Sequence, residues 1–376
     1  MVAIGSLEQN NKGDVCLRSA VMTSDRLLIV GTLGGGGIHQ YIEQQYRHLD
    51  SVEASVYDMV SDPKGEGGWW LFTSVIASVW AAIRFPFRAP PDVIHVHTSH
   101  RFSFYRSAFY VLYASIVWDR PVVLHVHGSS FDSFVTTDSW LINRIQAFVF
   151  GECDRIIVLS PYWQEVLSTC VPEEKIRVLP NAIAPSEYSP VFETDTQHVV
   201  FVSNLVERKG VFELAGAIED LLDENPEKNG TDVRFSIAGS GPLKERVESL
   251  ADQHEAVEYL GYVSERKKRT LLDSGTIFVL PAYAEGLPIA LLEGMAGGNA
   301  VVSTTVGSIP EVIDEENGLL VEPKNTTQLS DALATLVADP ERTEAMGREN
   351  RRLVSETYSW DTTQQTLQEI YAELPA

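Results

Sequence analysis

Short runs of β-branched and other apolar residues recur along this chain at helix-length intervals, and that rhythm narrows its architecture more than any other feature. From Arg26 the runs read LLIVGTL, DVIHVHT, PVVLHVHG, RIIVLS and IRVLP, each bounded by Gly, Pro or Asp. Continuous apolar runs of this length, spaced by longer amphipathic stretches, predict parallel strands buried on both faces by helices. A second series follows: HVVFVSNL, DVRFSIAGSG, AVEYLGYV, TIFVLPA, AVVSTT and NGLLVEP. Between them, residues 182–197 (AIAPSEYSPVFETDTQ) are rich in Pro, Ser and acid and have no periodicity, which marks a linker. The expected fold is α/β, with two doubly wound halves facing a central cleft.

Length agrees with that division, because 376 residues suffice for two domains that each bury a core. The formal net charge of −23 disfavours nucleic acid as a partner, since a negative field repels the phosphate backbone. The cations comprise 20 Arg and 9 Lys, and an acid-rich, Lys-poor surface suits a halophilic protein dissolved in concentrated salt. Three cysteines, Cys16, Cys153 and Cys170, with no C-x-x-C spacing predict neither a disulfide framework nor a thiolate metal site. The reducing cytoplasm is the compartment this implies. Residues 1–25 lack the cationic start and apolar core of a secretory signal and read as a poorly ordered lead-in.

In doubly wound sheets, ligands bind beyond the carboxyl ends of the strands. Gly34 to Gly37, His127-Gly128, Arg208-Lys209-Gly210, Gly239-Ser240-Gly241 and Glu285 all stand there. The sharpest signal is YAEGLPIALLEGMAGG (283–298), in which seven residues separate Glu285 from Glu293. Pro288 suits the first turn of a helix and Gly297-Gly298 its stop. Glu293 is then the one carboxylate on an apolar helix, and a buried charge requires a cation or hydroxyl partners. Glu285 precedes a helix N-terminus, whose free N–H groups attract phosphate. A structural ion pair explains either glutamate alone, but two of them framing a Pro-started helix favour function.

These residues resemble the retaining glycosyltransferases of family 4, which have the GT-B fold of two Rossmann-like domains. The family's Glu-x7-Glu motif is similar to Glu285 through Glu293, and its following segments are similar to EGMAGGNAVV and to Gly307-Ser308-Ile309-Pro310-Glu311. SNLVERKG, AGSGP, VHG, PNAIA and NGLLVEPKN resemble further family motifs, and YSWDTTQQTLQEIY resembles its terminal helix, so the likeness spans about residues 26–372. The resemblance implies an acceptor-side domain at 26–181, the linker at 182–197, a nucleotide-sugar domain at 198–355 and a helix at 356–376 returning to the first domain.

It also implies roles. Glu293 accepts the donor's ribose hydroxyls, Glu285 contacts the transferred sugar, Lys209 neutralises the departing diphosphate, and His127 holds the sugar near its 6-position. Arg208, Gly286, Leu287, Gly241 and Asn204 fall at donor-binding positions, and Gly35 and Gly36 in a loop against donor phosphate and acceptor. The implied activity moves a sugar from a UDP- or GDP-sugar to a glycan or lipid-linked acceptor by a front-face route. Breaking a glycosyl–phosphate bond leaves charge on the diphosphate, which cations and a helix terminus can stabilise. The chain has no Asp-x-Asp pair, so no metal or other cofactor is expected.

Asn204 stands where the family carries Arg. Either Arg208 compensates with its bidentate fork or it is a solvated surface residue, and Asn204 leaves open an accessory protein that binds donor without turnover. The pairs His95-x-His97 and His125-x-His127 suggest a metal-dependent hydrolase, although core histidines on adjacent strands explain them as well. Arg266-Lys267-Lys268-Arg269 reads as the solvated start of a capped helix, without function. Finally, twelve of the fifteen residues from Trp69 to Ile83 are apolar, and arginines predominate among the charges up to Arg120. Residues 69–118 therefore read either as a peripheral membrane contact or as an ordinary buried helix.

Overall fold

A computed structural model describes residues 26–34, 36–49, 52–60, 69–129, 131–192, 196–223 and 233–375, with the side chains of 69–72 outside the description. The lead-in 1–25 and Gly35 thus lie outside the described residues. The first sheet comprises β1 (Arg26–Gly31), β2 (Glu53–Asp58), β3 (Val93–Thr98), β4 (Val122–Val126), β5 (Arg155–Val158) and β6 (Ile176–Val178), all parallel, in the order β2-β1-β3-β4-β5-β6. The second comprises β7 (Gln197–Val202), β8 (Val233–Ala238), β9 (Val257–Gly261), β10 (Ile277–Leu280), β11 (Ala300–Thr304) and β12 (Gly318–Val321), in the order β12-β11-β10-β7-β8-β9. Every apolar run named above is one of these strands. β2 is the addition: it is an edge strand whose sequence, EASVYD, shows no continuous apolar run because only one neighbour and part of one face cover it.

The helices of the first half are α1 (Gly37–His48), α2 (Trp69–Arg84), α3 (Phe102–Leu112), α4 (Phe131–Val135), α5 (Trp140–Gly151) and α6 (Pro161–Ser168). Those of the second are α7 (Val211–Asp223), α8 (Lys244–Gln253), α9 (Glu265–Asp273), α10 (Ile289–Ala296), α11 (Thr326–Ala338) and α12 (Pro340–Thr357), and α13 (Trp360–Ala372) follows them in the chain. Right-handed crossovers dictate the layering, because β1 to β2 steps one way across the sheet and the later connections step the other. The alternation of side chains shows the result. Leu28, Val30, Ile94, Val96 and Leu124 pack with Phe85, Phe104 and Val111 on one face, while Leu27, Ile29, Val93 and Val123 pack with Ile42 on the other.

That second face is completed by the end of the chain. Leu367, Ile370 and Tyr371 of α13 lie against Leu27, Ile29 and Val123, so the last helix covers the first sheet. The crossing is fixed where Ile183 N–H donates to the Tyr358 carbonyl and Trp360 N–H to the Ile183 carbonyl, each at 3.0 Å. Two chain segments therefore connect the halves side by side.

α2 differs from an ordinary buried helix. Val75, Ile76, Val79, Trp80 and Ile83 form an outward stripe, each about half exposed, whereas Ala81 and Phe85 face inward. No helix among the described residues is long and apolar enough to cross a membrane.

Candidate active site

β7 delivers the chain to the cleft, where a short 3-10 turn at Glu207–Lys209 presents two adjacent cations. Lys209 Nζ donates to Glu285 Oε1 at 2.5 Å, with only 9% and 7% of the two residues exposed. Arg208 Nη1 donates to the Ala284 carbonyl at 2.6 Å and approaches the same Glu285 oxygen at 3.3 Å. Arg208 is therefore joined to this cluster while its side chain remains 45% exposed. The arrangement depends on Gly307, whose φ of +57° lies in the left-handed region. A Cβ there would come 1.9 Å from the Glu285 carbonyl oxygen, so only glycine lets the two loops touch.

Beyond Glu285, the backbone turns into α10 with Pro288 as its N-cap, one residue before the first turn where the sequence placed it. Gly286 approaches the His127 carbonyl of the other half closely enough that a Cβ would sit 3.2 Å from it. Leu287 is buried, and its carbonyl accepts from Asn181 Nδ2 at 2.6 Å. Gly36, with φ +84°, is the N-cap of α1, and Gly37 lies beside Ile289. The amino ends of α1 and α10 thus meet across the cleft, and each carries free N–H groups and a positive dipole end. Glu285, three residues before the Pro288 N-cap, is neutralised by Lys209 and Arg208.

Glu293, on the buried side of α10, receives hydrogen bonds from Lys268 Nζ at 2.7 Å and from Gln40 Nε2 of α1 at 2.8 Å. Lys268 also pairs with Glu265 at 2.8 Å. Burial raises the Glu293 carboxyl above its ordinary range, with Lys268 opposing. Burial disfavours the Lys268 ammonium, but Glu293 and Glu265 outweigh it and leave its pKa raised. The solvated reading of Arg266 to Arg269 is therefore wrong for Lys268, which is 8% exposed. Its signal was periodicity: Lys268, Leu271 and Leu272 stand at i, i+3 and i+4 and are the buried stripe of α9. Ser264 does cap this helix, accepting from Lys267 N–H. Lys268→Met strands the Glu293 charge, and a loss of about 3–5 kcal/mol is expected from breaking such a buried pair. Thermal denaturation should show the lowered Tm, and adding Glu293→Gln should restore part of it.

Asn204 and Gly241 occupy neighbouring loops rather than the ion cluster. Asn204 is exposed, and Leu205 beside it donates its N–H to the Ser240 carbonyl at 2.9 Å and accepts from Leu243 N–H at 3.0 Å. Gly241, at φ +158°, lets that turn lie on the Leu205 backbone, where a Cβ would come 2.3 Å from the carbonyl.

On the opposite wall, His127 is half-buried and heads a hydrogen-bonded core. His97 Nε2 lies 2.8 Å from Gln45 Oε1, an oxygen that only accepts, so His97 carries its proton on Nε2. His97 Nδ1, 2.9 Å from His127 Nε2, must then accept, which makes Nδ1 the unprotonated nitrogen of the His127 ring, with the Asn181 side chain also in hydrogen-bonding reach of that ring. In the parallel chain Tyr371 Oη meets His95 Nδ1 at 2.6 Å, and His95 Nε2 meets His125 Nδ1 at 3.3 Å. His95, His97 and His125 bring donor atoms within 4.8 Å of one another, but these contacts already occupy the nitrogens, save His125 Nε2. The pairs form a core network joining β3, β4, α1 and α13.

Two parallel-sheet domains, with cations and helix ends at the switch points between them, define a GT-B architecture. Solved structures share it. Sucrose-phosphate synthase from Thermosynechococcus elongatus superposes with a TM-score of 0.76 at 18% identity, covering 93% of this chain and 98% of that one. Anabaena HepE in complex with UDP-glucose gives 0.71 at 17% identity, over 93% of this chain and 100% of that one. Family models described as "Glycosyl transferases group 1" and "Glycosyltransferase Family 4" match residues 196–339 and 36–187. The chain belongs to this glycosyltransferase family. Similar sequences include a human phosphatidylinositol N-acetylglucosaminyltransferase subunit, 29% identical over 74% of this chain and 57% of that protein. A Methanocaldococcus jannaschii glycosyltransferase is 27% identical over 74% of this chain and 75% of its own length. The chain thus spans a little over half of the human relative and three quarters of the archaeal one.

Proposed function

We propose that the protein transfers a sugar, with retention of anomeric configuration, from a nucleotide-sugar donor to a glycan or lipid-linked acceptor. The observation that carries this reading is the Lys209–Glu285–Arg208 cluster at the amino end of α10. Two adjacent cations against one carboxylate suit the negative charge that a diphosphate leaving group gathers. Glu293 serves the ribose, releasing Gln40 as hydroxyls arrive. Glu285 and His127 Nδ1 hold sugar hydroxyls from opposite walls. Transfer proceeds without a metal, because cations and two helix ends supply the electrostatic stabilisation. The acceptor side is the first domain, and residues 69–118 bring the enzyme to the cytoplasmic face of a membrane. The acid-rich surface suits concentrated salt.

The test is a panel of UDP- and GDP-sugars with lipid extract as acceptor, read by nucleotide release in the presence of EDTA. Acceptor-dependent release that survives chelation is expected. Donor-induced thermal stabilisation without release would instead identify an accessory protein, and activity abolished by EDTA would refute metal independence.

A further inference from the structure

Fourteen of the eighteen large hydrophobic residues exposed among the described residues lie between Val75 and Phe148. They belong to one layer, since α2 packs on α3 and α3 on α5. On α2 the stripe runs from Val75 to Ile83, on α3 it includes Phe102, Tyr105 and Phe109, and on α5 Trp140, Leu141 and Phe148. The spacing on each helix follows the helical repeat, so each presents one apolar face outward.

Charge is segregated on the same layer. α2, α3 and α5 contain no Asp or Glu, although the chain has 52 acidic residues, and each holds one charged residue, an arginine. Arg84, Arg88, Arg101, Arg106, Arg120 and Arg144 form no salt bridge among the described residues, whereas arginines such as Arg26, Arg47, Arg155, Arg177 and Arg208 do. At the margin of the layer, Arg84 and Arg88 line a cavity of about 440 Å³ with Tyr57, Asp58 and Phe87. The Arg88 guanidinium lies 5.2 Å from the centre of the Tyr57 ring. Asp58 Oδ1 is committed to the backbone N–H groups of Leu33 and Val60, so the two cations outnumber the one acid. Phe87, 86% exposed, stands beside the opening.

An apolar face with an aromatic and arginine margin, on a molecule otherwise strongly negative, is complementary to an anionic bilayer and to little else. A second copy would bring like-charged arginines together. We propose that α2, α3 and α5 lie on the surface of an anionic phospholipid bilayer, with Arg84 and Arg88 receiving a lipid phosphate at the Tyr57 cavity. This rests on the membrane contact in the function proposed above and deepens it, by adding α5 and a headgroup site. Guanidinium forks suit phosphate oxygens, and the apolar stripes enter the interface beside them.

Flotation of the full chain with vesicles, without donor or acceptor, tests the proposal. Binding to phosphatidylcholine vesicles containing phosphatidylglycerol should exceed binding to pure phosphatidylcholine at least tenfold. Arg84→Gln with Arg88→Gln should abolish that preference, and Val79→Ser with Trp80→Ser should weaken binding to both vesicle types. Each variant should keep the wild-type Tm. Equal binding to both vesicle types, no binding to either, or concentration-dependent dimerisation that buries Trp80 in place of vesicle binding would overturn it. Nucleotide release from soluble donor is read separately, so a failure of the transferase reading is distinguishable from a failure here.

Discussion

Lys209→Ala is expected to lower acceptor-dependent nucleotide release by a factor of 10² to 10³, about 2.7–4 kcal/mol of transition-state stabilisation, while the chain remains folded. The size follows from what departs. As the glycosyl–phosphate bond breaks, negative charge accumulates on the diphosphate, and Lys209 is the buried cation of the cluster. That cation donates to Glu285 at 2.5 Å. Donor phosphate must compete for it, and Glu285, partly released, becomes free to accept a sugar hydroxyl. Glu285→Ala should therefore also be severe, by orders of magnitude, although Lys209 and Arg208 would then be unopposed and donor affinity should hold or rise. The double variant discriminates between roles. If Glu285 only positions Lys209, the double variant is no worse than Lys209→Ala, whereas a further loss shows that Glu285 also touches the sugar. Near wild-type turnover of either single variant would sink the assignment.

The strands and their division into two sheets were legible because a strand buried on both faces must be apolar throughout, and such runs are conspicuous in one dimension. β2 escaped because an edge strand is free of that requirement. Within the site, residues that follow strands could be named from the sequence, and Lys209, Arg208 and Glu285 do converge. What could not be read were partners brought from afar. Gln40 and Lys268 reach Glu293 from α1 and α9, and Glu311 accepts from Tyr162 N–H at the start of α6 across the cleft. Such contacts depend on how two domains meet, which no local period encodes. Lys268 is the instructive case, because its charge suggested solvent while its spacing with Leu271 and Leu272 indicated burial. The stripe of α2 shows the converse: apolar composition left a peripheral contact and a buried helix both open, and the structure turns Ala81 inward and the large side chains outward.

The histidine network predicts acid lability. Burial lowers the pKa of His95 and His127 to about 3 and holds His97 and His125 well below the ordinary value, with neighbouring histidines adding to the effect in His95, His97 and His125. The unfolded chain takes up these protons near pH 6.5 and the folded chain does not, so stability is full above that pH and falls as pH drops towards 3. Each histidine contributes a slope of about 1.4 kcal/mol per pH unit in that window, and four together roughly 5 kcal/mol per unit. A typical reserve of about 5–15 kcal/mol is then exhausted one to three units below pH 6.5. Tm measured from pH 8 to pH 5 should stay level and then fall steeply, with nucleotide release lost over the same range because His127 closes the cleft wall. His125→Leu removes one of the four titrating rings. It removes the ring that His95 Nε2 meets at 3.3 Å and so costs stability at pH 8, yet it should make the fall below pH 6.5 less steep. A Tm that does not change down to pH 5, or a slope unaltered in His125→Leu, would show that these rings do not stay neutral together in the folded chain.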